Sequence, residues 1–263
     1  MTYVYALANE KGGVGKTSVA VNLAVAFAKL DVHVLLIDLD AQRHASRWLG
    51  IDTNAHPVDA SFLGIVVERR RLDECVIRTA EGVDVIPAHK DMIALPESLG
   101  RSMGGGIYTL RKALARAETA GYRPDIVILD LAPARGPVLA TALAAATRCI
   151  APVQAADLVL QSLGDLVDSL TQAQEFNPDL RGLSVLRNNY TLRANLDFAY
   201  DEALGSVYAA TLLKTIIPSR ALIRLASGAQ QSVFAFHGPE ESAVRSIFLS
   251  LAEELLTLDG ALP

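Results

Sequence analysis

Residues 8–18 read Ala8-Asn9-Glu10-Lys11-Gly12-Gly13-Val14-Gly15-Lys16-Thr17-Ser18, and this stretch decides the fold. Tyr3 to Ala8, before it, reads as a short buried strand, and Val19 to Lys29, after it, as a helix with apolar residues at nearly every position. A strand, a glycine-rich turn and a Lys-Thr pair opening a helix form the context of a phosphate-binding loop. The glycines let backbone N–H groups converge on an anion without Cβ clashes. The helix N-terminus adds its partial positive charge. Gly12, Gly13, Val14, Gly15, Lys16, Thr17 and Ser18 are therefore the candidate phosphate cradle. Lys16 is placed to reach the β- and γ-phosphates, and the Thr17 hydroxyl to ligate Mg²⁺. Lys11 is an additional cation at the front of the loop.

Working outward, His33 to Asp38 is an apolar second strand that runs into Asp38-Leu39-Asp40-Ala41-Gln42. Continuous apolar runs suit parallel strands covered on both faces. Carboxylates at the C-terminal ends of such strands lie where open α/β sheets bind ligands. Two residues apart in extended chain, Asp38 and Asp40 share a face. The plainer alternative is that the two cap helices, Asp40 one starting at Ala41. Asp125 to Asp130 is another apolar strand, and Asp130 is the natural carboxylate to hold the Mg²⁺ shell.

The remaining elements alternate. Residues 41–72 read as mostly helical around a loop at 52–57, with Glu68-Arg69-Arg70-Arg71 a solvated run on a helix. Strands are expected at Gly82–Ala88, Arg148–Gln154, Leu183–Asn188 and within Ala210–Ile217; helices at 90–100, Thr109–Ala120, Pro137–Ala146, Gln161–Glu175, 197–205 and Ser242–Thr257. Ser102 to Gly106 reads as a glycine loop with no strand and no lysine to make a second phosphate site. The alternation predicts an α/β fold with a doubly wound, mainly parallel sheet flanked by helices, all within one domain spanning residues 1–263.

The 263 residues are 51% hydrophobic and 20% charged, enough for one large buried core. A net charge of -5 argues against a globally basic nucleic-acid binder and leaves room for a local patch. Two cysteines, Cys75 and Cys149, lie far apart without C-x-x-C spacing, which points to a reducing compartment. His44 and His56 have no partners at ligand spacing, and Trp48 reads as packing. No basic segment followed by an apolar core opens the chain, and no apolar run approaches the roughly 20 residues of a membrane span.

Lys11-Gly12-Gly13-Val14-Gly15-Lys16-Thr17, with a lysine at its start and another before the threonine, resembles the deviant Walker A loop of the ParA/MinD family. Further stretches agree in order: Val34-Leu35-Leu36-Ile37-Asp38-Leu39-Asp40-Ala41-Gln42, Asp130 with Pro133, Pro152-Val153-Gln154, Arg193-Ala194-Asn195-Leu196 and Ile217-Pro218. The resemblance covers about residues 3 to 255. It implies a small ParA-type partition or positioning ATPase of the cytoplasm and nucleoid that uses ATP and Mg²⁺. The active form would be an ATP-dependent sandwich homodimer in which Lys11 reaches the partner's phosphates, much as an arginine finger does. Asp40 would orient the attacking water, Asp38 would support Mg²⁺, and Asn188 or Asn189, with Pro218, would border the adenine. Arg193, Lys214, Arg220 and Arg224 would bind DNA non-specifically through its phosphates. A ParB-like partner or cargo adaptor would stimulate a slow hydrolysis. Four departures stand out: Ala41 replaces a proline after Asp40, Arg43-His44 replaces Gly-Asn, Ala132 replaces the first proline after Asp130, and the family's late I-P-R-N-V-R appears as Ile217-Pro218-Ser219-Arg220-Ala221-Leu222, one arginine short.

The alternatives are a positioning ATPase for a protein cargo, a MinD-like membrane switch, an iron-protein-like electron carrier and a nucleotide-locked scaffold. The C-terminal run Phe248 to Asp259 is amphipathic but acidic, and anionic lipid would repel it. The two cysteines are placed poorly for a cluster, one in an expected helix and one in a strand.

Overall fold

The computed structural model describes residues 2–101, 106–154, 159–191, 195–238 and 240–260. In chain order the strands are β1 (Tyr3–Leu7), β2 (Val34–Asp38), β3 (Ile77–Arg78), β4 (Asp84–Ile86), β5 (Ile126–Asp130), β6 (Arg148–Val153), β7 (Leu183–Tyr190) and β8 (Ile217–Pro218). The α-helices are α1 (Lys16–Lys29), α2 (His44–Trp48), α3 (Phe62–Val67), α4 (Leu95–Arg101), α5 (Thr109–Thr119), α6 (Pro137–Ala145), α7 (Val159–Phe176), α8 (Asn195–Tyr208), α9 (Ala221–Gly228) and α10 (Glu241–Asp259). The sheet runs β3-β4-β2-β5-β1-β6-β7-β8. Every pairing is parallel except β3 with β4, which is antiparallel.

The two-residue period of the central strands builds a core on each face. Val4 and Ala6 of β1, Leu35 and Ile37 of β2, and Val127 and Leu129 of β5 pack on one side, with α3 to α7. Tyr5, Leu7, Val34, Leu36, Ile126 and Ile128 pack on the other, with α1, α2, α9 and α10. Helix α1 is buried over most of its length, because it lies between the sheet and α10.

Several local expectations change. Residues 41–72 hold only α2, a single turn at Val58–Ala60 and α3. Thr53 is buried within this stretch and Ser61 Oγ donates to Val58 O, so polar loop contacts replace helix. The charge run 68–71 lies just past α3 and is exposed, with Arg70 paired to Asp59 and Glu74 and Arg71 to Asp73. The strand expected within 210–217 shrinks to Ile217–Pro218 plus one bridge between Leu212 and Val185. Here Glu254 of α10 accepts the N–H groups of Lys214 and Thr215, so a side chain takes donors that a strand would have offered to a neighbour. The antiparallel edge strand β3 and helix α9 were not expected. Residues 102–105 of the glycine loop lie outside the described residues.

Candidate functional site

The C-terminal ends of β1, β2, β5 and β6 converge on the loop from Ala8 to Gly15. Its first residue donates N–H to Ile150 O of β6. Asn9 is buried and holds the entry from both ends: its Nδ2 donates to Pro152 O at 2.9 Å, and its Oδ1 accepts the Lys11 N–H at 2.9 Å. Gly13 and Gly15 have φ of +78° and +88°, backbone that L side chains rarely adopt. Helix α1 begins at Lys16 itself, so Lys16, Thr17 and Ser18 form its first turn. No acidic side chain sits in that turn, and the positive end of the helix faces the loop unopposed by its own sequence.

Lys16 is only 6% exposed. Its Nζ donates to Asn9 O at 2.9 Å and Lys11 O at 3.2 Å, curling back inside the loop. Gln154, just past β6, donates to Gly13 O at 3.0 Å, and Asn188 of β7 donates to Val14 O at 2.8 Å. Four of the loop's carbonyls, those of Asn9, Lys11, Gly13 and Val14, are thus bound by side chains, and its N–H groups are what it has to offer an anion.

Beneath the loop, Asp38 and Asp130 are register neighbours on β2 and β5, both fully buried. Asp38 accepts three hydrogen bonds, from Ser46 N (2.9 Å), Ser46 Oγ (2.6 Å) and Asp40 N (3.2 Å). Burial outweighs them and pushes the Asp38 carboxyl up to about 6. Asp130 has no well-formed hydrogen bond to either oxygen among the described residues. Burial first, then the charge of Asp38, raises it well above the usual carboxylate range, while the Thr17 hydroxyl and the Lys16 ammonium act the other way. Burial lowers the Lys16 ammonium, opposed by Asp130 and Asp40. An orphaned buried carboxylate influenced by a threonine hydroxyl offers the hard oxygen donors that a hydrated Mg²⁺ takes, so the residues present fit that ion.

Asp40 is half-buried. Its Oδ1 accepts the Gln42 N–H at 2.9 Å and its carbonyl the Arg43 N–H at 2.9 Å. This is a tight turn, and α2 starts only at His44, so Asp40 does not cap a helix at Ala41. Arg43, where the resemblance expects glycine, sits at φ +62°.

A family model described as an AAA domain matches residues 2–182. A chromosome-partitioning ATPase Soj from Thermus thermophilus is 32% identical over 256 residues, covering 95% of this chain and 94% of that protein. The chain belongs to the ParA/Soj family. Among solved structures, a cobyrinic acid a,c-diamide synthase from Mycobacterium smegmatis with bound ADP and magnesium superposes with a TM-score of 0.81 at 27% identity, over 97% of this chain and 94% of that one. A plasmid partition protein from Borrelia burgdorferi bound to AMPPNP has a TM-score of 0.77 at 21% identity, over 95% and 100%, and shares the fold. The ParA/Soj fold of this chain is the P-loop α/β sheet described above.

In this ParA/Soj chain Asn188 and Asn189 separate sharply. Asn188 is buried and faces the phosphate loop; Asn189 is exposed with φ +60°. Pro218 pairs with Tyr190 in register, two residues beyond Asn188. Lys214, Arg220 and Arg224 are all exposed; Arg220 lies 3.7 Å from Glu240 and Arg224 donates to Ser219 Oγ. Arg193 lies outside the described residues. Cys75 occupies a single turn, Asp73–Cys75, and is buried; Cys149 is buried in β6, where burial pushes its thiol up to about 12. Among the described residues no group of three or more His, Cys, Asp or Glu is arranged to hold a metal.

The sequence reading missed Asn9, Ser46, Gln154 and Arg135. Asn9 and Gln154 stand beside motifs already singled out. Ser46 is eight residues from Asp38, and Arg135 is 125 residues from its partner Glu10, with no local signal for either.

Proposed function

We propose that this chain is a ParA-type ATPase, working as one domain over residues 1–263, that forms an ATP-dependent homodimer and binds DNA non-specifically. A ParB-like partner or cargo adaptor would trigger hydrolysis and release. One observation carries the reading: Lys16, Asp38 and Asp130 are buried together under a glycine loop that opens with a second lysine, Lys11.

Each residue takes a role that its setting supports. The loop from Gly12 to Ser18 holds the phosphates, and Lys16 leaves its two carbonyl partners for the β- and γ-oxygens. Thr17 and Asp130 hold Mg²⁺, with Asp38 behind them; the bound ion neutralises phosphate charge. Asp40 orients the attacking water, and Lys11 stabilises developing charge in the partner's site. Asn188 and Pro218 border the adenine, while Asn189, exposed, is the weaker candidate. Lys214, Arg220, Arg224 and Arg193 supply phosphate contacts to DNA.

The membrane alternative fares poorly. Val244, Phe248, Leu251, Ala252, Leu255 and Leu256 of α10 are buried on the body. No helix among the described residues is long and apolar enough to cross a membrane. The protein-cargo reading keeps one supporting observation: Arg220, one of the proposed DNA contacts, lies 3.7 Å from Glu240, which partly offsets its charge.

The test is retention of DNA by the protein at low salt with ATP, with ADP and without nucleotide, beside single-turnover ATP hydrolysis. ATP-dependent retention with slow hydrolysis is expected. Hydrolysis without DNA retention would hand the protein to the cargo-positioning reading, and absence of both would sink the proposal.

A further inference from the structure

Arg135 lies in the tight loop between β5 and α6. Its Nε donates to Glu10 Oε1 in the phosphate loop, and its Nη2 lies 2.7 Å from Asp165 Oδ1 on α7. One guanidinium thus ties together the phosphate loop, the segment that follows Asp130, and α7. The loop's path is set by its own chemistry. Gly136 has φ +127°, which a side chain would strain, and Pro137 then opens α6 at its first turn. The same segment lies close to the phosphate loop at a second point: a Cβ added to Gly12 would sit 3.9 Å from Pro133 Cγ.

Glu10 is the residue that needs this partner. Its side chain is only 19% exposed, and it directly precedes Lys11 at the mouth of an anion site. A partly covered carboxylate there repels an incoming polyanion, and it competes for the cations that the site needs. Lys16 already carries the burden of binding inside the loop, with the carboxyl groups of Asp38, Asp40 and Asp130 close by.

We infer that Arg135 is a positioning residue for nucleotide binding: it neutralises Glu10 and holds the front of the phosphate loop, so that the triphosphate enters past a paired carboxylate rather than a bare one. Asp165 anchors the guanidinium from the far side, which keeps it on Glu10 instead of swinging to solvent. The inference rests on the nucleotide-site reading and deepens it.

The experiment titrates a fluorescent ATP analogue with Mg²⁺ into the full chain at low and high salt, comparing the unaltered protein, R135A, R135K, E10Q and the E10Q/R135A pair. R135A should bind roughly fivefold more weakly at low salt, the scale of one partly exposed ion-pair network. The deficit should shrink at high salt as screening sets in. R135K should fall between R135A and the unaltered protein. E10Q/R135A should return to within about twofold of it, because the carboxylate that needed neutralising is gone. That rescue separates charge neutralisation from a structural lesion, which removing Glu10 would not repair. An R135A protein that binds normally, or a double variant as weak as R135A, overturns the inference while leaving the function reading intact. An unaltered protein that binds no nucleotide overturns both.

Discussion

The side-chain amide of Asn188 donates to the carbonyl oxygen of Val14 at 2.8 Å, joining β7 to a loop 174 residues earlier in the chain. The contact leaves no room for a side chain at the neighbouring glycine. A Cβ built on Gly15 would lie 2.3 Å from the same Nδ2. Gly15 is also at φ +88°. Gly15→Ala therefore meets two penalties, a clash and about 1–2 kcal/mol of left-handed strain. We expect it to abolish nucleotide binding while the sheet remains folded. Calorimetric titration beside circular dichroism reads both. Asn188→Ala should be milder, costing about 1 kcal/mol for a buried acceptor left unpaired.

In the proposed function, Lys11 separates a generic phosphate loop from one completed by a second copy of the chain. Lys11→Ala should bind ATP as a monomer and lose both ATP-dependent dimerisation and DNA retention. Light scattering behind size-exclusion chromatography gives the answer. A variant that dimerises fully on ATP would remove the role assigned to Lys11.

Asp40 carries a second catalytic expectation. Asp40→Ala should bind ATP and dimerise, yet slow single-turnover hydrolysis by about 100-fold or more, the scale of a positioned base or water-orienting group. Normal hydrolysis by this variant assigns the water elsewhere.

The buried Asp38 makes stability depend on pH with a definite sign. Its folded pKa, about 6, is raised above the ordinary carboxylate value of 3.8. The folded state therefore holds a proton that the unfolded chain has released between about pH 4 and 6, and this favours folding. That contribution is full below about pH 4 and is lost as pH rises through 6. Without nucleotide or Mg²⁺, Asp38→Asn should raise the thermal midpoint at pH 7.5, with the difference closing towards pH 4. The asparagine oxygen can still accept from Ser46. A difference that grows as the pH falls contradicts the assignment. Added Mg²⁺ and ATP should oppose the effect, since a cation favours the ionised carboxylates.

Asp259 closes the C-terminal helix onto the sheet. It is fully buried and accepts from Arg148, Nη2 to Oδ1 at 2.5 Å, and from Arg181 at 3.1 Å. Asp259→Ala strands the nearly buried Arg148 and should cost about 3 kcal/mol in urea unfolding, as when one partner of a buried ion pair is removed. If loosening α10 also produced ATP-dependent binding to anionic liposomes, the membrane reading would need to be reopened.

Much of the candidate site is legible in the sequence alone. Lys11, Gly13, Gly15, Lys16 and Thr17 are contiguous, and their chemistry depends on local backbone geometry that glycine spacing encodes. Asp38 and Asp130 ended apolar runs, and a parallel sheet brings such ends to one edge. The less legible parts were those with weak local patterns. The short elements between β2 and β4 are held by loop hydrogen bonds rather than by an amphipathic period. The segment 210–217 looked like a strand because it is apolar, but Glu254 takes its donors at 214 and 215.

By itself the sequence determined the phosphate loop, the alternation of strands and helices, and the family, because each is written in residues close together or in a repeating period. Only the tertiary structure decided which asparagine faces the loop, that Ser46 holds Asp38, that Asp259 of α10 pairs with Arg148, and that Arg135 pairs with Glu10. Those are contacts made by side chains to partners from 8 to 174 residues away. Which partners meet depends on the strand order and on the direction each loop leaves the sheet, and no local pattern carries either.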